Sequence, residues 1–241
     1  MKRSQIYSLE DYQISLNSFV SKCSENQIWF SLANKTLLSA LTNVDYFDHD
    51  DYLEVFMTFA ALQTLQEKYN EFLVSPNNNS HYAYSAVFFV EPQSPIVIKI
   101  ILVVPAGIKK TEQFYKRKNR RRQAIGYWSS NQWTKSFWKH LYYQLWSIFQ
   151  AALVWEEVYA KIYAEKYQGF FTIDDLRLNI NQNWIPNLTF KTKKIPFFKI
   201  ECPVIEEAEV FLTKRYGWNW QEQVEFKEKP IAFNWVKNLL N

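Results

Sequence analysis

Glycine is unusually scarce in this chain, with 4 in 241 residues. Backbone that must pass close to a phosphate or adopt left-handed angles draws on glycine, so the Gly-rich loops of P-loop and dinucleotide-binding folds are excluded. Aromatic residues reach 18%, including 10 Trp, which predicts a bulky core. With 48% apolar and 22% charged residues there is enough hydrophobic surface to offset chain entropy. The length suits one sizeable α/β domain over 1–241 rather than two large ones.

Periodicity divides the chain into recognisable segments. After Ser8, acidic residues and then Tyr12, Leu16, Phe19, Val20 and Cys23 fall at helical spacing, predicting a helix over 9–23. Ile28 to Leu32 has the character of a short buried strand, Lys35 to Leu41 that of a short helix, and an acidic turn follows. Phe59, Leu62, Leu65, Tyr69 and Phe72 repeat every three or four residues, as on an amphipathic helix. Two strands are expected over His81–Val90 and Ile96–Val104, separated by EPQSP.

Between Thr111 and about Tyr167 there is no proline and one glycine, and apolar residues recur at helical spacing. That predicts a helical elaboration over 111–167, buried on more than one side and layered on the sheet, with Trp128, Trp133, Trp138 and Trp146 in the core. Further on, LTFKT and FFKIE are expected to pair as a hairpin across a Lys-Lys-Ile-Pro connection. Glu206 to Tyr216 closes as a helix with Lys214 and Arg215 in its last turn and Gly217 as its C-cap.

Three segments in order resemble the LicD/fukutin family. NQIWFSLANKTLLSALTNVDYFDHDDYLEVFM resembles its opening, where a strand leads to a Gly-Thr-Leu-Leu-Gly-like helix start and then an Asp-x-Asp-x-Asp-like strand; Thr36, Leu37 and Leu38 match the Thr-Leu-Leu. IVIKIILVVPAG stands where the family has Val-Asp-Ile-Phe-Pro-Leu, and Pro203, Leu212, Tyr216, Gly217 and Trp220 match its closing pattern. The resemblance implies a nucleotidyltransferase-like mixed sheet with a helical layer. It also implies transfer of a phosphorylated group, such as phosphocholine or an alditol phosphate, from a CDP-activated donor to a glycan or related hydroxyl. Such chemistry needs carboxylates that hold Mg²⁺ or Mn²⁺ and one that serves as base. Carried over, the acids are Asp48, Asp50 and Glu54 for catalysis and Asp48, Asp50 and Asp51 for metal, with Thr36, Lys99, Arg117 and Arg121 towards substrate.

The sequence departs from that pattern at the positions that matter most. Anchored on Thr36 without gaps, the acidic positions fall on Asp50, Tyr52 and Glu54, and a tyrosine is no hard-cation ligand at neutral pH. A register shifted by two gives Asp48 and Asp50 followed by Tyr52, and the sequence leaves both registers open. Lys99 replaces the middle strand's Asp, while Lys35 and Ser39 replace small glycines. Facing the cleft, Lys99 would pair with a neighbouring acid in place of a metal. The alternative to a transferase is therefore a catalytically inactive relative acting as a binding subunit or scaffold, with a protein partner.

The remaining features have plainer readings. The acidic cluster reads as a solvated turn without the resemblance, and His49, His81 and His140 are too scattered for a catalytic group. Lys116 to Arg122 carries six cations in seven positions, a patch for phosphates, an anionic membrane or water alone. A net charge of only +4 argues against a nucleic-acid partner. Cys23 and Cys202 are too few for a disulfide framework or a Cys-based zinc site. With no signal-like apolar stretch and no run long enough to span a bilayer, the expectation is a cytoplasmic chain, with a peripheral membrane position left open.

Overall fold

The computed structural model describes residues 7–44, 50–75, 86–116, 155–173 and 180–222, together with positions 138, 141, 142, 145, 146, 236, 237 and 240. The described part is a mixed α/β domain. Helix α1 (Leu9–Glu25) starts at a capping box in which Ser8 and Asp11 satisfy each other's backbone N–H groups. Then come β1 (Phe30–Leu32), α2 (Asn34–Thr42), β2 (Tyr52–Thr58) and α3 (Phe59–Tyr69), the last capped by the Thr58 hydroxyl on the Ala61 N–H. Strands β3 (Leu73–Val74), β4 (Val87–Val90) and β5 (Val97–Ala106) follow, then α4 (Ile108–Phe114) and α5 (Trp155–Ile162). The chain continues through β6 (Gly169–Ile173), β7 (Trp184–Ile185), the hairpin β8 (Thr192–Phe197) and β9 (Ile200–Ile205), and α6 (Ala208–Tyr216).

Strand β5 is the axis of a seven-stranded sheet. On one side it runs parallel to β2 from Tyr52↔Val97 to Thr58↔Val103. Its other side is shared in sequence by two antiparallel partners, β4 along Val97–Ile100 and β6 along Leu102–Ala106. A strand paired along both edges and covered on both faces has no need of polar alternation. Its composition agrees, since Val97 to Val104 is apolar at every position except Lys99, and all are buried.

The two faces of the sheet have different covers. Leu53, Val55, Ile98, Ile100 and Phe89 belong to the face under α1 and α3, where Phe19 meets Phe30 and Phe89 edge-on at centroid distances of 5.1 and 5.3 Å. The opposite face carries Tyr52, Glu54 and Phe56 from β2 and Lys99 from β5, and Phe56 meets Phe211 of α6 edge-on at 5.2 Å. Around α6, buried Asn183 accepts from the Arg215 guanidinium at 2.7 Å and donates to the Tyr115 hydroxyl at 2.6 Å, tying α6 to the end of α4.

The sequence expectations hold for most elements and fail instructively for two. The anticipated LTFKT strand is irregular, and Lys193 to Pro196, expected as the connection, lies inside β8. The turn falls instead on Phe198 and Lys199, both at positive φ (48° and 63°) without the glycine or asparagine that normally marks such a turn. Pro196 is tolerated because β8 is an edge strand. The core reading fails for Trp138, which is 76% exposed; Trp146 is half-buried, and Trp128 and Trp133 lie outside the described residues, as does most of 111–167.

Gly169 is required by contact rather than by conformation. A Cβ there would stand 2.7 Å from the Trp184 ring on the neighbouring strand β7. Gly169→Ala should cost about 1–3 kcal/mol through overpacking, read as a lower urea midpoint with unchanged slope. An unaltered midpoint would mean that the ring swings aside freely.

Candidate functional site

The candidate site lies where the start of α2 meets the middle of β2 and β5. Leaving β1, the chain extends the sheet by one bond, Ala33 N–H to the Glu54 carbonyl at 3.0 Å. It then turns through Asn34 at φ 43°, a left-handed angle that asparagine tolerates better than most residues. Two positions on, the Thr36 hydroxyl accepts the Glu54 N–H at 2.8 Å. Both backbone groups of Glu54 are thereby tied to the strand-to-helix corner, which fixes α2 over its side chain.

The Glu54 carboxylate is held from three directions. Lys99, its register partner on β5, donates to Oε1 at 3.3 Å, and the Asn34 amide donates to the same oxygen at 3.2 Å. The Lys35 backbone N–H reaches Oε2 at 3.4 Å. Side-chain exposures of 11% for Lys99 and 8% for Glu54 make this a buried ion pair. A single charge at that depth would cost several kcal/mol in lost hydration, so each member requires the other.

A second pair sits beside the first. Lys35 Nζ, in the first turn of α2, is bonded to Asp50 Oδ2 just before β2. The buried Tyr12 hydroxyl of α1 donates to the Asp50 carbonyl at 2.5 Å, which holds this segment against α1. The neighbouring Asp51 is also buried, and its carbonyl accepts the Val97 N–H at 3.0 Å. Around the corner stand three acids, Asp50, Asp51 and Glu54, and two lysines, Lys35 and Lys99.

Of the residues singled out in the sequence, Asp50, Glu54, Thr36 and Lys99 are thus brought to one corner. Asp48, Arg117 and Arg121 lie outside the described residues, as does His49. Thr36 is fully buried with its hydroxyl spent on the backbone of β2. Tyr12 and Asn34 were not anticipated; each acts through a contact to a residue 38 or 20 positions away, and no local pattern signals such a contact.

A Mg²⁺ or Mn²⁺ ion needs several oxygen ligands turned to one point. The described acids do not meet that requirement, because Asp50 and Glu54 are each engaged by a lysine ammonium and no group of three acidic, His or Cys side chains is gathered as a ligand set among the described residues. The two thiols offer no substitute, since burial pushes both Cys23 and Cys202 up to about 12 and keeps them protonated.

Lys99→Met should destabilise the protein by about 3–5 kcal/mol, because it strands the Glu54 carboxylate without its counter-charge. Adding Glu54→Gln should recover most of that loss in a double-mutant cycle of urea midpoints. Additive losses would mean that the two side chains do not depend on each other. No family model matches the chain, and no curated protein matches it, so the reading of the site rests on its own residues.

Proposed function

We propose that this chain is a LicD/fukutin-like domain on a nucleotidyltransferase-like sheet that has exchanged its metal centre for two lysine–carboxylate pairs and acts as a non-catalytic binding subunit or scaffold. The observation that carries this reading is the pairing of Lys35 with Asp50 and of Lys99 with Glu54. Two ammonium groups bring the same charge as one divalent cation. They can therefore balance the carboxylates of such a corner without supplying the open coordination positions that polarise a diphosphate.

Support for the frame itself comes from the order of elements. The Thr36-Leu37-Leu38 segment opens α2, β2 carries Asp50 just ahead of it and Glu54 within it, and parallel β5 sets residue 99 opposite Glu54. That is the order in which the resembling family has its helix start, its acidic strand and the Asp of its middle strand. Tyr52 stands at one of the three acidic positions in either register and Lys99 at the place of the middle strand's Asp, which removes ligands and adds a competing cation. The transfer of phosphocholine or an alditol phosphate from a CDP-activated donor, with Mg²⁺ or Mn²⁺, is the reading this proposal displaces.

Calorimetric titration separates the two. The unaltered protein should give no Mn²⁺ uptake and no metal-dependent heat with CDP-choline. A variant combining Lys35→Gly, Tyr52→Asp and Lys99→Asp, if folded by circular dichroism, should gain saturable Mn²⁺ binding. Stoichiometric Mn²⁺-dependent binding of CDP-choline by the unaltered protein, abolished in Asp50→Ala, would overturn the proposal and restore the transferase.

A further inference from the structure

Strand β8 leaves one of its edges unpaired. It pairs with β9 alone, and where the hairpin opens the Lys191 carbonyl accepts the Glu206 N–H at 3.1 Å. Opposed residues in an antiparallel ladder alternate between bonded and non-bonded pairs. Counting from Lys191, residues Lys193, Ile195 and Phe197 therefore bond to β9, while Thr192, Lys194 and Pro196 turn their backbone groups outward. Two observations agree with that phase. Pro196 and Pro203, which have no N–H to give, both stand at non-bonded pairs. On β9 the Ile205 N–H, directly across from Thr192, points away from β8 to the Ser31 hydroxyl at 3.0 Å. Among the described residues nothing accepts the Thr192 or Lys194 N–H.

The side chains along this edge are cationic, and a hollow flanks them. Lys191, Thr192, Lys193 and Lys194 are exposed, and none of the three lysines has an ion pair among the described residues. The acids of the hairpin lie on the inner strand, Glu201 within β9 and Glu206 and Glu207 just after it. A chain laid beside β8 would have that strand's residues as direct neighbours at about 5 Å and those of β9 at roughly 10 Å, about one Debye length away. The potential it meets is thus positive. On the other face from Lys191 and Lys193, Thr192 and Lys194 border a hollow of about 190 Å³ lined also by Val20, Ile28, Trp29 and Glu201. That is smaller than the roughly 300–1,000 Å³ of a drug-sized ligand site and suits one large side chain. Glu201 on its wall repels a carboxylate, so the side chain that enters is apolar.

We infer that the open edge of β8 is a docking site for an extended acidic segment of a partner protein, added to the hairpin as a third strand. Its backbone pairs with the outward N–H and C=O groups of Thr192 and Lys194. Directly opposed residues share a face of the sheet, so its acids stand against Lys191 and Lys193 and the residue between them enters the hollow beside Trp29. The matching pattern is acid, large apolar residue, acid. This inference rests on the scaffold reading of the chain, to which it gives a class of partner. In strand addition the backbone supplies affinity and alternate side chains supply specificity. A second copy of β8 is the other strand an open edge admits, and lysine against lysine opposes it. The charges that bar self-pairing therefore select an acid-bearing strand. Pro196, with no N–H to offer, marks where the added pairing stops.

Selection of a random displayed peptide library on the full chain, in metal-free buffer, tests the inference. The expected binders carry the acid–apolar–acid alternation and no internal proline. A synthetic copy of the best binder should slow hydrogen exchange at the Thr192 and Lys194 amides and lose affinity as salt rises. Lys191→Glu with Lys193→Glu, both exposed and so compatible with folding, should weaken it at least about tenfold. Lys194→Pro removes one outward N–H without touching a bond to β9, and should cost more affinity than Lys194→Ala, which keeps that N–H. A selection without binders, binders without acidic bias, unchanged exchange at both amides, or charge reversal without effect would each overturn the inference. None of these outcomes involves metal. Mn²⁺-dependent binding of CDP-choline would instead remove the scaffold reading and leave peptide binding at the edge as measured.

Discussion

Glu54 sits in the middle of a central strand with almost no access to water, and that burial sets the conditions for everything around it. An isolated carboxylate there would be protonated or would unfold the region. The chain supplies an ammonium in register from β5, an amide from Asn34 and a backbone N–H from Lys35. These partners are delivered by two elements, β5 and the first turn of α2. The β2–β5 pairing, the left-handed turn at Asn34 and the start of α2 are therefore coupled: a shift of β2 by one residue would move Glu54 to the other face and strand Lys99. Register in an apolar parallel pair is otherwise weakly specified, and the ion pair gives it a reason to be unique.

The long strand β5 makes that coupling global. Because β4 and β6 share one of its edges while β2 takes the other, the helices behind all three neighbours are positioned by one strand. Phe19 and Phe89 lock α1 to one face, and Phe56 with Phe211 locks α6 to the other. The corner at α2 sits between these two packed layers, with Tyr12 reaching from α1 to the Asp50 carbonyl. A pair of charges in such a place gains rigidity from its walls and pays for it in accessibility.

Local chemistry explains what the sequence made legible. Acidic residues after Ser8 announced α1, Gly217 announced the end of α6, and the β-branched apolar run interrupted only by Lys99 announced β5. The hairpin register was hidden because Phe198 and Lys199 occupy left-handed angles that neither residue type advertises, whereas Pro196 advertises a turn and sits in an edge strand. At the site, the possibility of Lys99 facing an acid was legible from strand order. Which acid it faces depends on the parallel register, and the pairing of Lys35 with Asp50 depends on how α2 is seated. Exposure of Trp138 was illegible for the opposite reason: helical spacing of aromatics looks the same whether the stripe is covered or bare.

Ammonium and divalent metal are alternative solutions to one electrostatic problem, but they are not equally reversible. Losing a metal leaves carboxylates that can still take it back. Where lysines are the counter-charges, as here, deleting either leaves a buried acid uncompensated at a cost of about 3–5 kcal/mol, a large share of the 5–15 kcal/mol that holds a typical domain together. Metal binding at this corner would require several residues to change together, Tyr52 and Lys99 among them. A ligand that displaced either lysine from this corner would have to replace its charge as well as its hydrogen bonds, and the two pairs therefore hold the corner closed in the described structure.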